Sequence, residues 1–194
     1  MIIFFCLLKT YSQQPDPLLS KDFLDQKKWV DSLYSSISLK EKIGQLFVPM
    51  VFSNRDSFHL KNTLDLVRRN QIGGVIFSKG NPKSQIEWSN LLQSKSKIPL
   101  LISMDAEWGV AMRLKDVLSF PWNMTLGAIN DDKLIFDIGK RIGEQMVRLG
   151  IHMNLAPVLD INTNSKNPII GNRSFGESSS IVVRQSLEVM KGMH

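Results

Sequence analysis

Four short apolar runs separated by stretches of helical periodicity constrain the fold of this chain more than any other feature. They fall at residues 46–52, 73–77, 100–104 and 152–161. Each has the length and composition of a buried strand. Between the first two, Leu60, Leu64 and Val67 recur at helical spacing. Asn81-Pro82 supplies an N-cap followed by proline at the first helical position, with Ile86, Leu91 and Leu92 continuing that helix. Asp131 or its neighbour opens a long amphipathic helix through Leu134, Ile138, Ile142 and Met146, which Gly150 ends. Ser38 and Glu41 have the spacing of a capping box and predict a helix start, and a last helix is predicted over 178–191. Strands alternating with helices of this length mean βαβ units on a parallel sheet, an α/β fold. Residues 46–52, 74–77, 100–104 and 153–159 are therefore expected as parallel neighbours in that order, with helices outside.

The chain has 194 residues, enough for one ordinary domain but short of the roughly 250 that a closed eight-stranded barrel takes. About four βα units are found, and the sequence ends inside the fourth helix. With 43% apolar and 22% charged residues the chain is globular rather than disordered. Its formal charge of +6 comes from scattered lysines without interleaved aromatics, which predicts a solvated basic surface and no nucleic-acid partner. The single cysteine, Cys6, leaves no internal disulfide. His59, His152 and His194 lack metal-ligand spacing, and no phosphate loop, nucleophile elbow or HExxH motif is present. The sequence thus predicts neither metal nor cofactor. His59 is expected in a surface loop and His152 in a structural role.

Residues 1–14 form a signal-like segment. The run at 2–8 is too short to span a bilayer and resembles the apolar region of a secretory signal, with Ser12 near a cleavage point. The basic region that normally precedes such a run is missing, so the alternative is a disordered terminus with a chance apolar run. Cys6 fits a lipid anchor poorly, because Ile3, Phe4 and Phe5 before it are bulky. The reading favoured is export to the periplasm or the exterior. A polar lead follows over 15–37, and the domain proper runs from 38 to 194.

Three strand-end segments carry polar groups that could converge. The run at 100–104 stops at Asp105 and Glu107, with Gly109 and then Arg113 eight positions past Asp105. Carboxylates at the C-terminal mouth of a buried parallel strand lie where α/β enzymes bind ligands; the alternative is that they cap or solvate the next turn. The second segment holds Asn154 and Asp160, and Asp160 could equally organise loops. The third is the loop containing Arg173, which could instead be tied to backbone carbonyls or to Asp160. Carboxylates accept from sugar hydroxyls and arginine offers a fixed fork of donors, so one Asp and two Arg at a common mouth suit a polyol or an anion.

Seven segments occur in a fixed order: 42–47 (Lys-Ile-Gly-Gln-Leu-Phe), 73–77, 105–109 with Arg113, Phe120-Pro121, 126–128, 156–160 and 173–176. Together they resemble the N-terminal domain of glycoside hydrolase family 3, with the β-N-acetylhexosaminidase branch fitting best. The resemblance implies the N-terminal half of a (β/α)8 TIM-type barrel that removes terminal β-linked N-acetylglucosamine from cell-wall or chitin-type sugars with retention. It implies that Asp105 binds outer sugar hydroxyls and that Arg113 and Arg173 help hold the sugar. The family continues with a Lys-His pair, a Lys-His-Phe-Pro-Gly-His-Gly loop whose histidine serves as acid/base in this branch, and an aspartate nucleophile. None of these is in the 194 residues, and 190–194 resembles the helix that precedes the Lys-His pair. The site is therefore expected to be half present, with no catalytic residue in this segment, the chain alone inactive and any C-terminal domain outside it. Trp108 stands where many relatives carry glycine. The alternatives are a non-catalytic sugar-binding or interaction module and a β-glucosidase of the same family.

Overall fold

The computed structural model describes residues 22–194; the signal-like segment with its apolar run, Cys6 and Ser12 lies outside them. The chain divides into two units, Met1–Ser38 and Leu39–His194. In the first, the polar lead contains a helix that the sequence pattern does not announce, α1 (Phe23–Ser36), none of whose residues is buried. Its polar face carries i,i+3 and i,i+4 ion pairs, Lys28–Asp25 and Lys27–Asp31.

The second unit alternates strands and helices. It contains α2 (Leu39–Gly44), β1 (Met50–Phe52), α3 (Ser57–Asp65), β2 (Gly74–Lys79), α4 (Pro82–Lys95), β3 (Leu101–Met104), α5 (Asn123–Gly127), α6 (Asp132–Arg148), β4 (Met153–Asn154) and α7 (Ser179–Met193). The four strands make one parallel sheet in the order β1-β2-β3-β4. Met50 pairs with Ile76, Gly74 with Leu101 and Ser103 with Met153. Strands that neighbour in sequence also neighbour in space, as in the wall of a (β/α)8 barrel, and the sheet is a partial barrel of that kind.

Two of the expected strands are shorter than their apolar runs. Of 46–52, only Met50–Phe52 joins the ladder, while Leu46 and Phe47 are 81% and 60% exposed. The segment still runs beside β2, because Phe47 O accepts from Gly73 N and Pro49 O from Ile76 N. Of 153–159, only Met153 and Asn154 pair; Leu155 N makes one more bond to Met104 O before the chain leaves the sheet toward Pro157, which has no N–H to offer.

The helix signals are local and hold. Asn81 Oδ1 accepts from Ser84 N at 2.9 Å, with Pro82 opening α4. Asp131 Oδ1 accepts from Leu134 N at 3.0 Å at the head of α6. Gly150, at φ +66°, ends that helix while Ile151 N bonds back to Met146 O.

The main core lies between the sheet and its helices. Val51, Val75, Phe77, Leu100, Ile102 and Met104 meet Val67, Leu92, Ile142 and Met146 there. Burial of side chains such as Phe77 and Ile102, each at most 1% exposed, stabilises the fold by about 1.5–3 kcal/mol apiece. A second cluster, Leu126, Ile135, Phe175, Val182 and Val189, joins α5, α6 and α7. Here α6 and α7 touch backbone to backbone: a Cβ on Gly139 would lie 2.3 Å from Val189 O, and one on Gly192 2.1 Å from Phe136 O.

Candidate active site

Strand β3 delivers its last buried side chain at Met104 and emerges at Asp105, which is partly buried. The chain then doubles back. Gly109 at φ +89° admits the turn, and a 3-10 turn over Val110–Met112 returns Arg113 to Asp105. Arg113 grips that residue twice: Nη2 donates to the Asp105 carboxylate, and Nε donates to the Asp105 carbonyl at 2.8 Å. The sequence spacing of eight is thus a strand end and its own clamp.

Glu107 turns into the protein. It is 4% exposed, and its carboxylate takes a bidentate bond from Arg173, with Nη2 to Oε1 at 2.6 Å and Nε to Oε2 at 2.9 Å. A buried carboxylate is tolerated only with such a partner. Arg173 is further fixed by Nη1 donating to Ile169 O at 3.2 Å and by its own carbonyl accepting from Asn123 Nδ2 at 2.8 Å. The Glu107 bond, followed by the charges of Glu107, Asp105 and Asp160, raises the Arg173 guanidinium above the usual arginine range against an opposing pull from burial.

The structure brings Asp105, Arg113 and Arg173 to the C-terminal end of the sheet in two ion pairs, Arg113–Asp105 and Arg173–Glu107. A cavity of about 380 Å³ beside β2 has Arg113, Lys79, Asn81 and Lys115 in its wall, but neither Asp105 nor Arg173. Arg173 is tied to a carbonyl, as one alternative had it, but its carboxylate partner is Glu107 and not Asp160. Asp160 is exposed, and it organises its loop through its carbonyl, which accepts from Ser174 Oγ at 2.6 Å. Asn154 is a structural tie: Oδ1 accepts from Ala106 N at 3.1 Å and Nδ2 donates to Ala106 O at 3.2 Å. His152 is structural too, with Nδ1 accepting from Ile102 N at 3.1 Å. His59 sits within α3 rather than in a loop, and its Nε2 accepts from Phe52 N at 3.2 Å. Burial first, then the Arg55 charge, lower its pKa from the ordinary 6.5, against Asp56.

Sequence reasoning did not find the role of Glu107 or of Asn123. Glu107 stands in the same short segment as Asp105, but its partner is 66 positions away. Two aromatic rings, Trp108 and Trp122, pair with centroids 4.1 Å apart and planes at 40°. Among the described residues no group of His, Cys, Asp and Glu could hold a metal, and no helix is long and apolar enough to cross a membrane.

A parallel partial barrel with its charged groups at the strand ends is the architecture of the barrel enzymes. The family model of the glycosyl hydrolase family 3 N terminal domain matches residues 38–194, and the chain belongs to that family. Beta-hexosaminidase A of Pseudoalteromonas piscicida is 31% identical over 188 residues, covering 90% of this chain and 30% of the relative. A beta-N-acetylglucosaminidase/beta-glucosidase of Cellulomonas fimi is 28% identical and covers 85% of this chain and 28% of its own length. Among solved structures, beta-glucoside phosphorylase BglX bound to 2FGlc superposes with a TM-score of 0.81 at 26% identity, covering 90% of this chain and 31% of that one. A family 3 beta-N-acetylglucosaminidase from Paenibacillus sp. str. FPU-7 superposes with a TM-score of 0.71 at 34% identity, covering 81% and 31%. The chain thus spans about 30% of the length of these relatives.

Proposed function

We propose that this chain is the sugar-gripping part of a glycoside hydrolase that removes terminal β-linked N-acetylglucosamine, with Asp105, Arg113 and Arg173 as its substrate-binding groups. The observation that carries the reading is the pair of arginine–carboxylate clamps side by side at the end of β3. The Arg113 and Arg173 side chains stay 23% and 35% exposed, so donors remain for a sugar after each carboxylate is served. The names of the relatives from Pseudoalteromonas and Paenibacillus support an N-acetylhexosamine. The wider name of the Cellulomonas relative keeps a β-glucoside as the competing substrate. In this reading residues 38–194 are the domain proper, and the apolar run at 2–8 exports it.

Retaining hydrolysis needs a nucleophile and an acid/base on opposite sides of the scissile bond. Asp105 and Glu107 are both engaged by arginines, which leaves neither carboxylate free to take one of these two places. The 194-residue chain alone is therefore expected to bind and not to cleave. The test is release of nitrophenol from the β-N-acetylglucosaminide and from the β-glucoside, by the chain and by the natural full-length product. The chain should give no turnover above background, and the full product should prefer the N-acetylglucosaminide. Asp105→Ala in the full product should lower kcat/KM by the worth of lost charge-assisted hydrogen bonds, about 1.5–3 kcal/mol each. Turnover by the short chain, or an unimpaired Asp105→Ala enzyme, would refute the assignment.

A further inference from the structure

We infer that the cavity at the end of β2 is a binding site for a tetrahedral oxyanion, sulfate or phosphate, with Lys79 and Lys115 as its charged groups. The inference does not depend on the sugar-binding reading above.

The two lysines are far apart in sequence and are brought together by the backbone. Gly80 and Leu114 form an isolated parallel bridge, and Lys115 N donates to Gly80 O at 3.0 Å. One lysine therefore stands on each side of this stitch. Its β2 side is anchored in turn, because Ser53 N donates to Lys79 O at 2.8 Å. Gly80 permits the close approach, since a Cβ there would lie 1.9 Å from Ser53 Oγ. Both lysines line the cavity of about 380 Å³.

Their charges are unanswered. Both residues are exposed, and among the described residues neither side chain makes a hydrogen bond or an ion pair. Elsewhere on the chain Lys27, Lys97, Lys133 and Lys191 each meet a carboxylate. The one acid in this wall, Asp116, pairs with neither lysine. Arg113 borders the cavity too; its Nε and Nη2 serve Asp105, and its Nη1 is left without a protein partner. Asn81 spends its side-chain oxygen on Ser84 N, whereas Asn54 adds an uncommitted amide. Two cations held at one small cavity repel each other, and an anion in it removes that cost. An ammonium is a compact point charge with three rotatable donors, suited to oxygens that diverge as they do in a tetrahedral ion. No aromatic ring lines the cavity, so the face of a sugar finds nothing to stack on. The ligand is thus the ion itself, or an ester that leaves its sugar outside.

The test is equilibrium dialysis of the 194-residue chain against radiolabelled sulfate, with ionic strength held constant by chloride. One sulfate should bind per chain. Lys79→Gln and Lys115→Gln should each weaken it roughly five-fold. Lys61→Gln, at an exposed lysine outside the cavity, should leave it unchanged. Unlabelled phosphate should displace the label, and acetate should do so only at far higher concentration. A sulfate ester of N-acetylglucosamine distinguishes the two sources: displacement at a lower concentration than free sulfate makes the ligand a sulfated sugar, and displacement at an equal or higher one makes it the free ion. No binding, an equal loss in all three variants, or acetate competing as well as phosphate overturns the site and leaves the two lysines as solvated surface charge.

Discussion

Glu107 carries the largest single stake at the residue scale. Its carboxylate is almost fully withdrawn from water and answered by one arginine. Glu107→Ala should leave Arg173 without its anchor and cost roughly 1.5–3 kcal/mol, the worth of a charged hydrogen bond when the arginine left behind keeps some access to water. Urea unfolding of the two proteins measures this; an unchanged midpoint would sink the account of the clamp. His59 sets a pH dependence. Its Nε2 must be unprotonated to accept from Phe52 N, and its folded pKa is lowered below 6.5. The folded state therefore binds the proton less readily than the unfolded one. The stability it lends is whole above pH 6.5 and is lost as pH falls through the lower folded value. Unfolding midpoints at pH 7.5 and 5.5 should differ by less in His59→Asn than in the parent chain. This scale was only half legible in the sequence. Asp105 and Arg113 stand in one short segment, so their common place was legible although their pairing was not; Glu107 with Arg173 depends on a loop returning across the sheet, and nothing local to either residue specifies that.

At the scale of elements, signals that act within a few residues were readable. The caps at Asn81 and Asp131 and the stop at Gly150 all work through neighbours three to five positions away. β3 was readable because all but its first residue are buried. The end of β4 was not, because its apolar run continues past the point where pairing ends. Helix α1 was missed for the opposite reason: its apolar residues stay exposed, so no burial face organised the pattern. The α6–α7 contact is set by glycines rather than by large side chains. Gly192→Ala should push its new methyl against Phe136 O and Lys140 N, which are backbone atoms and cannot rotate away. The expected cost is about 1–3 kcal/mol, as for an overpacked core. Thermal melts of this variant against Gly150→Ala, where nothing stands within 4 Å but the left-handed backbone is strained, would separate crowding from strain.

The whole molecule presents two sheet edges, β1 and β4, each with one partner strand among the described residues. Around them Leu46, Phe47 and Met50 on one side, and Leu155 and Leu159 on the other, are each at least half exposed. Unpaired backbone beside apolar surface is a template for association. The isolated chain should sediment as dimers or larger species at micromolar concentration, and a single monomeric boundary would contradict this.

The β3–β4 seam bears on which substitutions that boundary of the sheet can absorb. A two-residue strand has little ladder of its own. His152 and Asn154 extend it by offering side-chain nitrogen and oxygen to the main chain of Ile102 and Ala106, as though the imidazole and the amide were extra peptide groups. In most strands the inward apolar residues brook no change and the polar ones drift freely. Here that tolerance is inverted: Met153 is 42% exposed, while the two polar residues flanking it hold the carboxylate-bearing end of the neighbouring strand in register.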